Sequence, residues 1–273
     1  MTGVPRTEAR NPKAAALARM STRDILELMN DEDATIASAV RAALPAIERA
    51  TDAIAAAFGH GGRLRYVGAG TSGRLGVLDA SEAPPTFGVE PDLVVGVIAG
   101  GDTALRSSIE GAEDDPLSGE RDIVRATRPG DVVVGISAGW TARYVVAAVR
   151  AAGALGATTA CVTFVMDSPL AAVATIPIVI DVGPEIIAGS SRLKAGTATK
   201  LVLNMLSTAA MIRSGRTKGD LMIDLRPTNA KLKARAVRMV RDELGIADEA
   251  ATAKLEAAGW SVRRAIGAPR SRE

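Results

Sequence analysis

Five short apolar runs, each followed by a glycine- and hydroxyl-rich loop and then by a helical stretch, dominate the middle of the chain. The runs are RLRYVGAG (63–70), LVVGVIAGG (93–101), DVVVGISAG (131–139), TTACVTFV (158–165) and IPIVIDVG (176–183). Strands that are apolar almost throughout are typical of parallel sheets whose two faces are both covered by helices. The alternation therefore predicts an α/β fold in which a parallel five-stranded sheet lies between helices.

The segments on either side of these runs have helical periodicity. Residues 1–53 are expected to form an arm and helices that pack on the core, with a break at Pro45, and residues 54–217 to form the α/β domain. Residues 218–273 are expected to form a small helical appendage, because the chain from about Lys194 onward has a wholly helical pattern.

The composition excludes several classes of protein. The 33 Lys and Arg residues nearly balance the 31 Asp and Glu residues, and only 3% of residues are aromatic, which disfavours binding to nucleic acid. The single cysteine, Cys161, allows neither an internal disulfide nor a cysteine-based metal cluster, and its apolar run predicts a buried, inert thiol. Without an apolar stretch of about 18 residues or a signal-peptide core, we expect a cytoplasmic protein with no membrane span.

The first loop contains G-x-G-x-x-G as Gly68, Gly70 and Gly73, a spacing also used by dinucleotide-binding sites. Such a site needs an acidic residue about 20 positions later, at the end of the second strand. Asp92 lies 19 residues beyond Gly73 but precedes its apolar run, and Asp102 lies at the correct end but 29 residues beyond. The spacing disfavours a nicotinamide cofactor without excluding it.

Three hydroxyl-rich loops follow strands or open helices, and they suggest a phosphate monoester instead. The first loop is GAGTSG (68–73), the second is SAGWTARY (137–144) and the third is AGSSRLKAG (188–196). A phosphate needs several donors, and hydroxyl groups beside the N–H groups of a helix start supply them. Because such loops converge at one edge of an open α/β sheet, we expect them to share one ligand, although each alone could simply cap a helix. The candidate binding residues are Gly70, Thr71, Ser72, Ser137, Gly139, Thr141, Ser190, Ser191 and Lys194.

The stretch GPEIIAGSSRLKAGTATK, Gly183 to Lys200, resembles the signature of N-acetylmuramic acid 6-phosphate etherases and glucokinase regulatory proteins. Further blocks similar to the etherases follow the same order: TEARNP, GAGTSGRLGVLDASE, PPTFGV, IEGAEDD and TNAKL. The resemblance covers roughly Thr7 to Arg241. It implies a flavodoxin-like sugar isomerase (SIS) domain, a homodimer, and no metal or nucleotide cofactor. One block departs from the family, which usually has S-G-R-T-P where this chain has SAGWTAR.

The implied activity is cleavage of the lactyl ether of N-acetylmuramate 6-phosphate, giving N-acetylglucosamine 6-phosphate and D-lactate in cell-wall recycling. By resemblance, Glu82 is the acid that protonates the leaving oxygen and Glu113 the base at C2. Opening of the sugar ring makes the C2 hydrogen acidic, so that elimination and then water addition can break an otherwise unreactive ether. Lying 31 residues apart on different βα units, the two glutamates can approach one pocket from two sides.

Two other functions stay open. A non-catalytic phosphosugar-binding regulator shares the signature, but the regulators are much longer and contain two such domains, and this chain has room for one. An aldose–ketose phosphosugar isomerase would use a base at C2 without needing an acid at C3.

Overall fold

The computed structural model describes residues 6–140 and 142–269, and within these ranges a parallel sheet of five strands forms the centre. The strands are β1 (Leu64–Gly68), β2 (Val94–Ile98), β3 (Val132–Ser137), β4 (Thr158–Thr163) and β5 (Ile176–Val179). Their order is β2-β1-β3-β4-β5, the flavodoxin-like arrangement. All five apolar runs are strands, and the predicted fold class is confirmed.

Helices cover both faces of the sheet. The first face carries α2 (Ile36–Ala42), α3 (Leu44–Gly59), α4 (Gly70–Phe87) and α8 (Lys194–Arg213), which share one apolar core with β1 and β3. The second face carries α5 (Pro116–Ala126), α6 (Arg143–Ala154) and α7 (Pro169–Val173) around a second core. Covered on both sides, the strands can be apolar at nearly every position, as their sequences are.

The thiol of Cys161 lies in the second core. Cys161 is fully buried, and burial raises the pKa of its thiol to about 12 despite a backbone hydrogen bond from Ile178. The expectation of a buried cysteine is confirmed.

Two of the helices that precede the sheet, α2 and α3, pack in the first core. The helical pattern breaks at Ala43, between α2 and α3, and Pro45 lies in the first turn of α3, as the sequence predicts. Before them lies α1 (Thr22–Asp33), which Ser21 caps by accepting a hydrogen bond from the Asp24 N–H. Because α3 runs without interruption across positions 53 and 54, the proposed boundary there falls inside a helix.

The C-terminal region has a small core of its own. The helices α9 (Ala230–Leu244), α10 (Asp248–Ala257) and α11 (Val262–Ala265) pack around Ala236, Val240 and Leu255. The expectation of a wholly helical chain from about Lys194 onward is wrong between α8 and α9. There Gly215, Gly219 and Pro227 interrupt the helical pattern, and an isolated bridge pairs Lys218 with Leu221. Among the described residues, no helix is both long and apolar enough to cross a membrane.

Close packing of α4 against the sheet depends on the glycine at position 73. A Cβ atom added to Gly73 would lie 2.6 Å from Ile98 Cγ1 and 2.8 Å from the carbonyl oxygen of Gly68. Gly70, at the start of the helix, has φ +53, a conformation that side chains rarely adopt. Two glycines of the G-x-G-x-x-G pattern are therefore explained by backbone geometry alone.

We expect Gly73→Ala to lower the free energy of unfolding by about 1–3 kcal/mol, because its methyl group must displace backbone atoms. Gly59→Ala is the matched control, since a Cβ atom at Gly59 meets nothing within 4 Å, and it should change stability by less than about 1 kcal/mol. Urea unfolding measures both. Equal unfolding midpoints for the two variants would contradict the packing described above.

Candidate functional site

The carboxyl ends of β1 and β3 form the crevice where the strand order changes direction. Gly68, the last residue of β1, pairs with Ile136 of β3, so Ala69 and Ser137 leave the sheet side by side. In flavodoxin-like sheets, ligands bind at this switch point, outside the carboxyl ends of the strands. The first two hydroxyl-rich loops therefore open on the expected crevice.

The first loop leads directly into α4. Ala69 is the N-cap residue, and the helix begins at Gly70. Thr71 and Ser72 consequently lie in the first turn, both half-buried. The N–H groups of a first helical turn lack partners within the helix and attract an anion. This end of α4 thus combines amide and hydroxyl donors.

The third loop meets the first at Gly196. A Cβ atom built on Gly196 would lie 3.6 Å from the Ser191 carbonyl oxygen and 3.8 Å from Thr71 Cγ2. A methyl group at this position would therefore touch both loops at ordinary van der Waals distance, although the loops are 120 residues apart in the chain. Ser190 and Ser191 are half-buried beside it. The structure brings these predicted binding residues together.

The second loop is more open. Ser137 is buried, and its hydroxyl group donates a hydrogen bond to the Gly139 carbonyl oxygen at 3.2 Å. A Cβ atom on Gly139 would meet nothing within 4 Å, which leaves room for a ligand. The remaining candidate of this loop, Thr141, lies outside the described residues. Phosphate binding by Ser137 and Gly139 stays a prediction.

The start of α8 is already occupied by a carboxylate of the protein. Glu185 is fully buried, and its two oxygens accept hydrogen bonds from the backbone N–H groups of Lys194 at 2.9 Å and Ala195 at 3.0 Å. A carboxylate at a helix N-terminus satisfies the free donors and the helix dipole. These amides are therefore engaged by the protein, unlike those at the start of α4.

Lys194 has a different contact from the expected one. Its side chain is buried, and its Nζ donates to Glu32 Oε2 on α1 at 2.6 Å. Glu32 also accepts hydrogen bonds from Lys13 Nζ at 2.8 Å and from Asn11 Nδ2 at 3.0 Å. The lysine thus ties the N-terminal arm to α8, and its contact with a phosphate stays a prediction.

These contacts change the pKa of Glu32. Burial alone would raise it, but the hydrogen bonds from Lys13, Lys194 and Asn11, together with the charge of Lys194, outweigh burial. The net effect lowers the pKa from an ordinary 4.5 to about 2. Sequence reasoning missed this cluster because Glu32 and Lys194 are 162 residues apart and no local pattern links them.

The two predicted catalytic glutamates do not meet within one chain. Glu113 lies in a short turn, Ala112–Asp114, that packs on α6 on the second face of the sheet. Glu82 lies on α4, on the first face, about 18 Å along the helix axis from Gly70 at a rise of 1.5 Å per residue. Both side chains are exposed. Their joint role in catalysis stays a prediction. A single chain places the two side chains on opposite faces of the sheet.

Acidic residues near the glutamates have structural contacts. Asp115 caps α5 by accepting hydrogen bonds from Leu117 N and Ser118 N, and hydrogen bonds from Ser118 lower its pKa. Asp79 is buried and accepts hydrogen bonds from the Tyr66 hydroxyl at 2.9 Å and from Asn204 Nδ2 at 2.7 Å. Asp79 therefore joins α4 to β1 and α8.

Asp92, one of the two acidic residues considered for a dinucleotide, lies at the opposite edge of the sheet. Asp92 lies two residues before β2, at the amino ends of the strands. It accepts hydrogen bonds there from Arg63 at 2.7 Å and from Arg65, near the start of β1, at 2.9 Å. The hydrogen bond from Arg63 lowers its pKa, against the effect of burial. Asp92 is therefore remote from the glycine loop. Across residues 6–140 and 142–269, no group of three or more His, Cys, Asp or Glu side chains is arranged to hold a metal ion.

The fold, with hydroxyl-rich loops at the switch point of its sheet, is that of an α/β domain of the sugar isomerase (SIS) type. Residues 35–152 match the model of the glucokinase regulatory protein N-terminal SIS domain. A solved E. coli CFT073 protein in complex with A5P has a TM-score of 0.52 and 19% identity, over 74% of this chain and 97% of that one. A phosphoheptose isomerase from Francisella tularensis has a TM-score of 0.52 and 16% identity, over 70% and 98%. These likenesses show the fold.

The relatives that share about half of this sequence define the family more narrowly than the fold does. N-acetylmuramic acid 6-phosphate etherase of Symbiobacterium thermophilum is 53% identical over 260 residues, 95% of this chain and 87% of the relative. The protein of the same name from Gloeobacter violaceus is 54% identical over 261 residues, 95% and 85% of the two chains. The chain belongs to the N-acetylmuramic acid 6-phosphate etherase family.

We expect Glu32→Gln to lower the free energy of unfolding by about 3–5 kcal/mol at pH 7, because it leaves the buried Lys194 ammonium without its counter-charge. Since the folded-state pKa of Glu32 is depressed, its contribution is complete above about pH 5 and declines as the pH falls from 4.5 toward 2. The stability difference between wild type and variant should therefore narrow by roughly 1 kcal/mol per pH unit in that window.

Urea unfolding at pH 7, 4.5 and 3.5 measures this difference. Glu27→Gln serves as the control on α1, since Glu27 is exposed and pairs only with the exposed Arg23 among the described residues. It should change stability by less than about 1 kcal/mol at each pH. A wild-type to Glu32→Gln difference that stays constant from pH 7 to pH 3.5 would refute the depressed pKa.

Proposed function

We propose that the protein cleaves the D-lactyl ether of N-acetylmuramic acid 6-phosphate, giving N-acetylglucosamine 6-phosphate and D-lactate. The observation that carries the proposal is 53–54% identity to curated etherases over 95% of the chain. It is supported by the hydroxyl- and amide-lined crevice at the switch point of the sheet and by the presence of Glu82 and Glu113. The reaction would serve amino-sugar recycling from the cell wall.

In this proposal the 6-phosphate lies at the start of α4. Amide groups of the first turn and the hydroxyl groups of Thr71 and Ser72 donate to its oxygens, with Ser191 on the adjoining loop. Ser137, Gly139, Thr141 and Ser190 are assigned to the same sugar phosphate. A phosphate fixed at one end of the sugar leaves C2 and C3 further out in the crevice.

The chemistry requires one base and one acid. Once the ring is open, the aldehyde at C1 makes the C2 hydrogen acidic, and Glu113 removes that proton. Glu82 donates a proton to the ether oxygen as the C3–O bond breaks, so lactate departs without a full negative charge on its hydroxyl oxygen. Water then adds across the C2–C3 double bond. Each acid or base typically contributes about 10²–10⁴-fold in rate.

Two subunits are needed to bring these glutamates together. Glu82 is too far along α4 to reach a sugar held at Gly70 of the same chain, and it lies on the opposite face from Glu113. Leu78, one helical turn before Glu82 on the same side of α4, is 54% exposed, and the adjoining α8 exposes Met205. A second copy that covers Leu78 also encloses Glu82. We therefore infer a homodimer whose site takes Glu113 from one subunit and Glu82 from its partner.

The cytoplasmic location stays a prediction from the sequence.

We expect Glu82→Gln and Glu113→Gln each to lower the rate of D-lactate release at least about 100-fold, because each removes one proton-transfer group. Glu120→Gln, an exposed carboxylate on α5, should retain wild-type activity. The assay follows D-lactate formed from N-acetylmuramic acid 6-phosphate, and circular dichroism checks folding. If the wild type releases no D-lactate, the proposal is wrong. Isomerisation of a phosphosugar would then favour the isomerase, and binding without any reaction would favour the regulator.

Mixing the two variants tests the shared site. Co-expressed at equal levels, Glu82→Gln and Glu113→Gln subunits should pair at random, so half of the dimers contain one of each. If each site uses both subunits, every mixed dimer has one intact site, and about a quarter of wild-type activity returns. Each variant alone, at the same total concentration, is the control. Purified mixed dimers without activity would show that both glutamates must come from one chain.

A further inference from the structure

A second cavity lies beside the proposed catalytic base. It has a volume of about 380 Å³ and opens where three helices begin, with Pro116 the first residue of α5, Arg143 of α6 and Pro169 of α7. These helices follow β2, β3 and β4, so their first residues lie at the carboxyl edge of the sheet, as the crevice does. We name this cavity the Trp140 groove, after the aromatic residue in its wall.

The Trp140 groove adjoins the turn that carries Glu113. That turn, Ala112–Asp114, ends two residues before Pro116 and packs directly on α6. Ala112 lies against the same apolar core as the inner side of α6. A substrate with its C2 atom at Glu113 therefore has the groove within reach of the substituent on the neighbouring carbon, C3.

The walls of the groove combine apolar and cationic groups. Trp140 is 39% exposed, and Val146 and Ala147 of α6 form an apolar floor. Arg143 and Arg150 lie seven residues apart, on one side of α6 and about 10 Å from each other along its axis. Both side chains are exposed, and the described residues that line the groove include no carboxylate. The groove suits an extended ligand that is partly apolar and carries negative charge at its far end.

A lactyl group alone does not use this groove fully. Its three carbons occupy a small part of a cavity whose size matches pockets for whole small molecules. Extended chain spans about 3.3–3.6 Å per residue, so a lactyl group with two amino acids attached covers the 10 Å between the two arginines. Arg143 would donate to the carbonyl oxygen of the lactyl amide, and Arg150 would pair with the terminal carboxylate.

We propose that the Trp140 groove binds a short peptide attached through an amide to the lactyl carboxyl group, so that the protein also cleaves 6-phosphorylated N-acetylmuramyl peptides. This inference rests on the proposed etherase activity. The same bonds break and form: the C2 proton goes to the base, the C3–O electron pair leaves with the lactyl oxygen, and that oxygen takes the proton of the acid. Water then adds, and the products are N-acetylglucosamine 6-phosphate and a lactyl peptide.

The test compares two substrates, N-acetylmuramic acid 6-phosphate and 6-phosphorylated N-acetylmuramyl-L-alanyl-D-glutamate. N-acetylglucosamine 6-phosphate, a product of both reactions, is measured by mass spectrometry. The wild type should cleave both. Arg150→Ala should lower the ratio of kcat/KM for the peptide substrate to kcat/KM for the simple substrate at least tenfold, mainly through KM, and Arg150→Lys should restore part of it. Trp140→Ala should lower the same ratio.

The matched control is Arg125→Ala, because Arg125 is an exposed arginine on α5 that does not line the groove. It should leave the ratio unchanged. Cleavage of the simple substrate without cleavage of the peptide substrate would overturn this inference and leave the etherase activity intact. An unchanged ratio in folded Arg150→Ala would also overturn it. No cleavage of either substrate by the wild type would overturn both the inference and the proposed function.

Discussion

The buried contact between Glu32 and Lys194 holds together the parts of the chain that surround the crevice. It joins α1 to the first residue of α8, and Lys13 and Asn11 attach the N-terminal arm to the same carboxylate. Buried charges are tolerated only when they are paired and hydrogen-bonded, and here all the partners are present. Because the loop with Ser190 and Ser191 ends at Lys194, the position of that loop beside Thr71 depends on an interaction with the other end of the chain.

The sequence predicts the sheet well and the site less completely, for physical reasons. Strands covered on both faces must be apolar nearly throughout, so the runs at β1 and β3 can be recognised without knowledge of their partners. Turn residues likewise show where each loop begins. Charged contacts between distant segments leave no such local pattern, which is why the partner of Lys194 could not be predicted.

A second limit of prediction from sequence concerns the position of Glu82 relative to the glycine loop. The resemblance identifies the residue, but the distance from the glycine loop depends on α4 continuing unbroken to Phe87, although Pro84 and Pro85 lie inside it. Each proline removes the hydrogen bond to the carbonyl group four residues earlier, at Ala80 and Ser81, so the turns from Gly70 to Asp79 keep their length and separate Glu82 from Gly70. A sequence pattern assigns residue types to a reaction, whereas the length of one helix decides how far apart those residues lie within a chain.

Glu185 has a consequence for how many anions the crevice can hold. By neutralising the start of α8 from within, it leaves the start of α4 as the place proposed for the 6-phosphate, although the two helix starts adjoin at Gly196. A short apolar residue at position 185 would leave the buried amides of Lys194 and Ala195 without an acceptor, at a cost in stability. The internal carboxylate thereby confines the proposed sugar phosphate to one of two neighbouring helix starts.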